Sequence, residues 1–469
     1  MWETPLFDAV KNYAKSQTVP FHMPGHKLGI GLPTEFSHRV SEYDITEIPG
    51  TDNLHYPEDA ILKAEKLAAS AFGADKTYFL VNGSTCGILA AIRTVCNKGD
   101  TLIIGRDCHK SVFSALVLWG VKPVYVKPDF NSDFGISSII RPDFIRDALK
   151  KHPKARGVLI TRPNYYGICS DIKKISDLVH SYGKILIVDE AHGAHFGFCK
   201  RVPPTSIKQG ADLVIQSAHK TLPALTQGAY LHVNGRQIDT RKLKNNLRML
   251  QTSSPSYPVL CSLDIARAIM QERGDAMLTK LLEYIDEFNN LLGSLLNICV
   301  LTQNQLEEGI HDPTRIVVQF KGLCGYEAER ILRERYSIQV EMSDLHNIVC
   351  IATVSDKRTF FKKLFLAVRD IANSSSSKKI SSFTMPVPDI PKASISIEEA
   401  SLMPQKGVGL KDAAGQISGE FITPYPPGIP LVVPGELITK EVVEYVYNVI
   451  YVGGKVNGID KKMVVNILI

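Results

Sequence analysis

The chain has 469 residues, of which 44% are hydrophobic and 22% charged, proportions that exclude disordered and collagen-like classes. Lys and Arg exceed Asp and Glu by 54 to 48 without any run of five basic residues, so we expect no nucleic-acid partner. Since no apolar stretch could span a membrane and the N-terminus is not signal-like, we expect a cytoplasmic protein without membrane contact. Nine scattered cysteines without a CxxC pair predict free thiols and no metal site.

The first 55 residues are rich in proline, glycine and histidine. They include FHMPGHKLG and EIPGTDNLHYP, which are typical of loops and not of a self-standing core. We therefore predict an N-terminal arm over 1–55 that wraps over another surface.

Between Tyr78 and Asn234, short apolar runs alternate with amphipathic stretches. The runs are TYFLV, TLIIG, PVYV, GVLIT, KILIV, DLVIQ and AYLHV. They are too short for helices and too apolar for half-exposed strands, which predicts a mostly parallel α/β sheet covered on both faces. In such sheets ligands bind beyond the carboxyl ends of the strands.

The rest of the chain divides by pattern. Helical periodicity from Ser262 to Leu296 completes a predicted large domain over 56–296, and 297–372 predicts a smaller α+β domain. The polar sequence NSSSSKKISS indicates a linker within 373–394. A C-terminal domain is predicted over 395–469, where EFITPYPPGIPLVVPGE suggests turns around short strands.

Polar side chains follow three of the apolar runs. KILIV leads into Asp189, SAHK with Lys220 follows DLVIQ, and in TYFLVNGST a helix begins directly after a strand. A helix N-terminus attracts an anion, Gly83 lets the backbone approach it, and the hydroxyls of Ser84 and Thr85 add donors. Each feature alone has an ordinary explanation, such as a helix cap. Together, a phosphate site, a carboxylate and a lysine suit pyridoxal phosphate.

That cofactor needs an amine to form a Schiff base and a carboxylate to keep its ring nitrogen protonated. Lys220 and Asp189 match these roles. A flat group must also lie against the ring, and GRDCHKS places His109 after the TLIIG run. The alternative for His109 is a buried structural histidine.

These motifs resemble the Orn/Lys/Arg decarboxylases of the aspartate-aminotransferase fold, in the short form without the N-terminal wing domain. The resemblance covers essentially the whole chain, through FHMPGHKLG, VNGST, RDCHKS, VDEAHGAH, SAHKTLPALTQ, TSSPSYPVLCSLDIAR and EFITPYPPGIPLVVPGE. It implies the type I fold of pyridoxal-phosphate-dependent transferases, with a mostly parallel large-domain sheet, a smaller α+β domain and a C-terminal domain.

The resemblance also implies a role for individual residues. Lys220 carries the cofactor, Asp189 contacts the pyridine nitrogen, His109 stacks on the ring and His192 lies near it. The residues expected around the phosphate are Ser84, Thr85, Ser217 and His219, with Thr252 or Ser253 reaching a neighbouring subunit's phosphate. This implies a homodimer, or an assembly of dimers, with active sites at the interface. The sequence RPNYYG departs from the expected pattern, since Asn164 stands where we expect Thr; its amide can still hydrogen-bond the cofactor's phenolic oxygen.

The implied reaction is decarboxylation of a basic amino acid, with His219 or Lys220 as the donor of a proton to Cα. The cationic side chain of the substrate requires carboxylates far from the ring, and the candidates are Glu420 first, then Glu341 and Asp344. A bidentate carboxylate would suit the guanidinium of arginine, and the short-form relatives include arginine and lysine decarboxylases, so we expect arginine first, lysine second and ornithine third. A polyamine-biosynthetic role is expected by analogy. The alternatives are an aminotransferase or aldolase on this scaffold, or a cofactor-binding paralogue without turnover.

Overall fold

The computed structural model describes residues 3–235, 237–375, 387–425 and 428–469. Part of the predicted linker, 376–386, lies outside the described residues. The predicted domain boundaries stay predictions, and the helices and strands fall into four groups along the chain.

The N-terminal group contains the predicted arm. Its elements are α1 (Pro5–Lys15), β1 (Val19–Phe21) and α2 (Thr34–His38). No residue of α1 is buried, and its apolar side chains Leu6, Phe7 and Val10 are all exposed. β1 pairs in parallel with a strand more than 300 residues further along, so the arm contacts a distant part of the chain.

The second group forms a seven-stranded sheet with its covering helices. In chain order it contains α3 (Ala60–Phe72), β2 (Lys76–Leu80), α4 (Gly83–Val95), β3 (Thr101–Gly105), α5 (Lys110–Trp119), β4 (Lys122–Val126), β5 (Phe130–Asn131), β6 (Ile136–Ser137), α6 (Pro142–Lys151), β7 (Gly157–Thr161), β8 (Ile168–Cys169), α7 (Ile172–Ser181), β9 (Ile185–Asp189), β10 (Leu213–Gln216), α8 (Ala218–Thr221), β11 (Ala229–Val233), α9 (Thr240–Leu250) and α10 (Tyr257–Leu292).

The sheet has the strand order β2-β11-β10-β9-β7-β3-β4. The strands from β10 to β4 are mutually parallel, and β11 is antiparallel to both of its neighbours. Alternate side chains of each strand pack on opposite sides: Leu102, Ile104 and Ile187 join one apolar core, while Ile103 and Val188 join another. The seven apolar runs thus form the seven strands of a sheet covered on both faces, as the sequence predicts.

The third group follows the long helix α10. It contains β12 (Ile298–Val300), β13 (Ile310–His311), β14 (Arg315–Phe320), α11 (Gly325–Tyr336), β15 (Ile338–Val340), β16 (Met342–Ser343), β17 (Asn347–Ile351) and α12 (Arg358–Ser375). The strands β12, β14, β17 and β16 form a four-stranded sheet, and β15 is the partner of β1.

The fourth group contains α13 (Ile397–Ala400), β18 (Gln405–Gly409), β19 (Thr423–Tyr425), α14 (Lys440–Tyr451), β20 (Lys455–Asn457) and β21 (Val464–Leu468). Two strand pairs, β18 with β21 and β19 with β20, enclose a small apolar core with α14. Short strands separated by turns agree with the sequence prediction.

Three further expectations can be compared with the structure. The helix predicted from Ser262 begins earlier, at Tyr257. Pro258 lies in its first turn, where a missing N–H is tolerated. All nine cysteines are free thiols, and six of them are buried. None of the described helices combines the length and the apolar character needed to cross a membrane.

Candidate active site

The candidate site lies where several parallel strands of the large sheet end. β2 leads into Gly83 at the start of α4, β9 ends at Asp189, and β10 leads into α8, which contains Lys220. His109, the N-cap residue of α5, follows β3 by four residues. The carboxyl ends of parallel strands share one edge of a sheet, so the topology brings together the side chains that the sequence singles out.

The start of α4 forms the predicted anion cradle. Gly83 has φ +73°, a conformation that favours glycine, and a Cβ added there would have no atom within 4 Å, so space is open in front of it. The Ser217 hydroxyl donates to Ser84 Oγ at 2.8 Å, which places two hydroxyls side by side. The Asn82 side chain does not cap α4, and Thr85 is exposed. These groups suit a phosphate.

Lys220 and Asp189 are the two ionisable groups expected to hold the cofactor. Lys220 Nζ lies 3.0 Å from His192 Nε2, and Asp189 Oδ1 accepts the Ala191 N–H at 3.1 Å. Among the described residues, neither forms a salt bridge. Burial raises the pKa of Asp189 and lowers the pKa of Lys220 because it disfavours the charged forms, while each group partly offsets the shift of the other.

This arrangement fits pyridoxal phosphate. A buried carboxylate without a cation can accept the protonated ring nitrogen, and an uncharged amine can form the Schiff base. Burial, and secondarily Lys220, lowers the pKa of His109 to about 4, so its ring is neutral at pH 7. His109 Nδ1 accepts the Ser111 N–H at 3.2 Å, which fixes the ring at the head of α5.

His219 lies next to Lys220 and has a defined tautomer. Its Nδ1 is 3.0 Å from the Gly228 carbonyl oxygen. Because a carbonyl oxygen can only accept, Nδ1 carries the proton and Nε2 is left as an acceptor. Burial lowers the pKa of His219 to about 4, so the imidazole is neutral at pH 7.

Asn164 and Asp344 hold the loops around them. The Asn164 amide donates to the carbonyls of Ser137 and Ser138 and accepts the N–H groups of Tyr166 and Ile168. Asp344 accepts the Tyr166 hydroxyl at 2.8 Å, together with N–H groups of the turn that follows it. Both residues thus make loop contacts, and their contacts with cofactor and substrate stay predictions.

The other two predicted substrate carboxylates lie in different surroundings. Glu341 is half-buried, accepts the Met23 N–H at 2.9 Å, and is near enough to Lys220 to raise its pKa. Glu420 is also half-buried, and its neighbour Phe421 packs against Phe113 of α5. No contact among the described residues links Glu420 to Lys220.

Thr252 and Ser253 are exposed beside the anion cradle of the same chain. The Thr252 N–H donates to Asn82 Oδ1 at 3.1 Å, and the Thr252 carbonyl oxygen lies 2.8 Å from His55 Nε2. Their contact with a neighbouring subunit's phosphate stays a prediction.

Two residues that the sequence analysis did not assign lie against His192. The Tyr165 ring is 4.9 Å from the His192 ring, and Arg315 Nη2 is 3.0 Å from His192 Nδ1. Tyr165 follows β7 and could have been found by the strand-end argument. Arg315 begins β14, far along the chain, and no local pattern marks it.

Two family models match the chain: "Orn/Lys/Arg decarboxylase, major domain" over residues 4–317 and "Orn/Lys/Arg decarboxylase, C-terminal domain" over residues 392–463. An arginine decarboxylase of Bacillus subtilis is 36% identical over 467 residues, covering 97% of this chain and 95% of its own. One from Bacillus anthracis is 35% identical over 468 residues, with the same coverage.

Solved structures confirm the fold. The lysine decarboxylase of Francisella novicida superposes with a TM-score of 0.78 at 18% identity, covering 99% of this chain and 81% of its own. The constitutive lysine decarboxylase of Escherichia coli gives a TM-score of 0.75 at 19% identity, covering 100% and 82%. The chain therefore belongs to the Orn/Lys/Arg decarboxylase family and is a pyridoxal-phosphate-dependent amino-acid decarboxylase of the type I fold.

Proposed function

We propose that this enzyme decarboxylates arginine, releasing agmatine and carbon dioxide, and that it serves polyamine biosynthesis. Relatives that match 97% of the chain at 35 to 36% identity are named arginine decarboxylases. A lysine decarboxylase of Pseudomonas aeruginosa is only 25% identical over 66% of the chain. We choose arginine over lysine and ornithine because the arginine decarboxylases are more similar to this chain and match more of it.

We assign the cofactor contacts to the residues at the strand ends. Lys220 would hold the cofactor's aldehyde carbon, Asp189 its ring nitrogen and His109 its ring face. The phosphate would lie among Gly83, Ser84, Thr85, Ser217 and His219, with Thr252 or Ser253 of a second subunit nearby. Support comes from the open cradle in front of Gly83, from the buried Asp189 carboxylate, which forms no salt bridge among the described residues, and from the burial that lowers the pKa of Lys220.

When bound, the cofactor supplies an electron-accepting ring that takes up the charge left at Cα as carbon dioxide departs. Asp189 would keep a proton on the ring nitrogen, and buried His192 and half-buried Tyr165 would exclude water beside Lys220. His219 and Lys220 both stay candidates for the donor of the proton to Cα. The one N–H of neutral His219 faces the Gly228 carbonyl, so His219 would have to give up that contact to donate.

For the substrate's cationic end, Glu341 is the candidate carboxylate that lies within electrostatic reach of Lys220 and Arg315 in one chain. Glu420 would act from farther away, for example across a dimer interface. The exposed apolar side chains of α1, Leu6, Phe7 and Val10, support a homodimer or an assembly of dimers, because a second subunit would bury them.

A product assay tests the reaction. The purified, cofactor-loaded protein is given arginine, lysine and ornithine separately, and carbon dioxide, amine and keto acid are all measured. We expect agmatine and carbon dioxide from arginine, and Lys220→Ala should abolish turnover. Cadaverine as the main product would show that the substrate is lysine, and putrescine would show that it is ornithine. A keto acid would indicate an aminotransferase.

A further inference from the structure

Three nitrogen-bearing side chains form a line in the active site. Arg315 Nη2 lies 3.0 Å from His192 Nδ1, and His192 Nε2 lies 3.0 Å from Lys220 Nζ. His192 is 4% exposed and Arg315 is 1% exposed. The imidazole therefore has one basic side chain at each ring nitrogen.

Counting hydrogens fixes the direction of both bonds. A guanidinium has N–H donors and no acceptor, and it stays charged in proteins, so Arg315 must donate to Nδ1. A neutral imidazole whose Nδ1 accepts carries its proton on Nε2. That N–H points at Lys220 Nζ, which must then supply a lone pair. An ammonium group has none, so the Lys220 amine has to be neutral.

We propose that Arg315 is a positioning residue: it holds the His192 proton on Nε2 and thereby keeps Lys220 as the neutral amine that reacts with the cofactor's aldehyde. The inference rests on the role of Lys220 proposed above. It assigns a function to a residue that does not follow a strand of the large sheet but is the first residue of β14.

The backbone around Arg315 is built to keep it in place. Arg315 pairs with Ile351 across the β14–β17 ladder, and the Ile351 carbonyl oxygen accepts a hydrogen bond from Lys27 Nζ at 2.8 Å. Gly167 lies so close that a Cβ there would be 2.5 Å from Arg315 Cβ. Arg315 Nε and Nη1 have no hydrogen-bond partner among the described residues, so the bond to His192 is the one that orients the guanidinium there.

The charges around His192 act in the same direction. The basic groups facing it are Lys220, Arg315, His109 and His219, and together with burial, the largest cause, they lower the pKa of His192 well below its usual value. Lys220 faces Arg315, which lowers its pKa, and the carboxylates Asp189 and Glu341, which raise it. Arg315 in turn faces Asp312, Glu341, Tyr165 and Cys169. The charged form of His192 is thus disfavoured. What Arg315 can change is therefore which of the two ring nitrogens of the neutral imidazole carries the proton.

Competitive labelling tests the proposal without cofactor or turnover. The full-length, cofactor-free protein is treated with trace acetic anhydride across a pH series, and mass spectrometry measures the acetylated fraction of Lys220. In Arg315→Gln the amide oxygen can accept a proton from Nδ1, so the other tautomer becomes available. We expect the reactive fraction of Lys220 at pH 7 to fall about tenfold, the equivalent of one pKa unit. Arg315→Lys keeps a charged donor and should largely restore the reactivity.

Two controls separate this role from direct electrostatics and from general damage. Arg141→Gln removes a partly exposed guanidinium that pairs with Asp129, and it should leave Lys220 labelling unchanged. In a His192→Leu background, Arg315→Gln should have little further effect. An equal fall in that background would show that Arg315 acts on Lys220 directly, and no fall in either background would also overturn the proposal.

A measurement on the unsubstituted chain reads the His192 tautomer directly and uses a variant only to assign the signals. In protein labelled with ¹⁵N-histidine, the His192 signals are assigned by their absence in His192→Leu. We expect Nε2 to be protonated and Nδ1 to be bare across the pH range in which histidine ordinarily titrates. An imidazolium, or a proton on Nδ1, would refute the inference. Because both readouts use cofactor-free protein, a different substrate in the product assay would leave them unaffected.

Discussion

At the scale of single residues, Lys220 and Asp189 are a basic and an acidic group that form no salt bridge among the described residues. A direct ion pair would hold the amine protonated, because a neighbouring anion favours the charged form. Instead Lys220 contacts an imidazole. The separation leaves the amine free to react and the carboxylate free to accept a ring cation.

The substrate's cationic end gives the residue-scale prediction. Glu341→Gln should raise KM for arginine about ten- to a hundredfold with little change in kcat, since a hydrogen bond to a charged group contributes about 1.5 to 3 kcal/mol. Steady-state kinetics with arginine measures this effect. Glu420→Gln is the matched control, because it makes the same change in the C-terminal segment. A raised KM in Glu420→Gln alone would show that Glu420, and not Glu341, binds the cationic end of the substrate.

At the scale of elements, the arm loop that contains FHMPGHKLG lies directly on the turn that contains Lys220. The Gly25 N–H donates to the His219 carbonyl oxygen at 2.7 Å, and the Thr353 hydroxyl donates to the Gly25 carbonyl oxygen at 2.8 Å. Lys27 Nζ is 3.7 Å from Asp356, and both side chains are fully buried. The loop therefore links α8 to the segment after β17.

Gly25→Ala tests this link, because a Cβ on Gly25 would lie 2.5 Å from the Leu222 carbonyl oxygen. We expect destabilisation of about 1 to 3 kcal/mol, typical of overpacking, and faster loss of pyridoxal phosphate. Urea unfolding and cofactor dissociation measure the two effects. Gly293→Ala is the control, since its nearest neighbours would be 3.5 Å away and its φ is −58°. Equal behaviour of the two variants would show that the close approach does not matter.

At the scale of the whole molecule, a buried ion pair joins the C-terminal segment to the large sheet. Arg106 Nη2 is 2.7 Å from Glu436 Oε2, and the side chains are 6% and 1% exposed. The guanidinium also lies 4.6 Å from the centre of the Tyr125 ring. The pair connects the residue after β3 with the sequence LVVPGE, so the tail docks next to the strand end that leads to His109.

Glu436→Gln should destabilise the protein by about 3 kcal/mol or more, because loss of one partner leaves the other charge buried. The more exposed pair Lys98 and Glu398 connects the same two regions and provides the control: Glu398→Gln should destabilise the protein much less, because water screens this pair. Shifts of the urea unfolding midpoint measure both. Equal shifts would mean that burial does not distinguish the two pairs.

The sheet and the strand-end residues could be predicted because both depend on local patterns. Apolar runs of five residues mark buried strands, and a polar residue after such a run marks the sheet's ligand edge. Arg315 could not be found in this way, because its contact with His192 joins the start of β14 to the segment after β9, more than 120 residues earlier in the chain. Asn164 shows another limit, since composition does not reveal that its amide bonds are taken by neighbouring backbone groups.

The buried cysteines have a chemical consequence for the intact protein. Burial raises the pKa of Cys86, Cys96 and Cys169 to about 12 in each case, and thiols react with electrophiles and oxidants as thiolates. At pH 7 only about one in 10⁵ of these groups is ionised. Alkylating reagents should therefore leave these thiols unmodified in the native state. The rate of their alkylation would then measure the rate at which the native core unfolds.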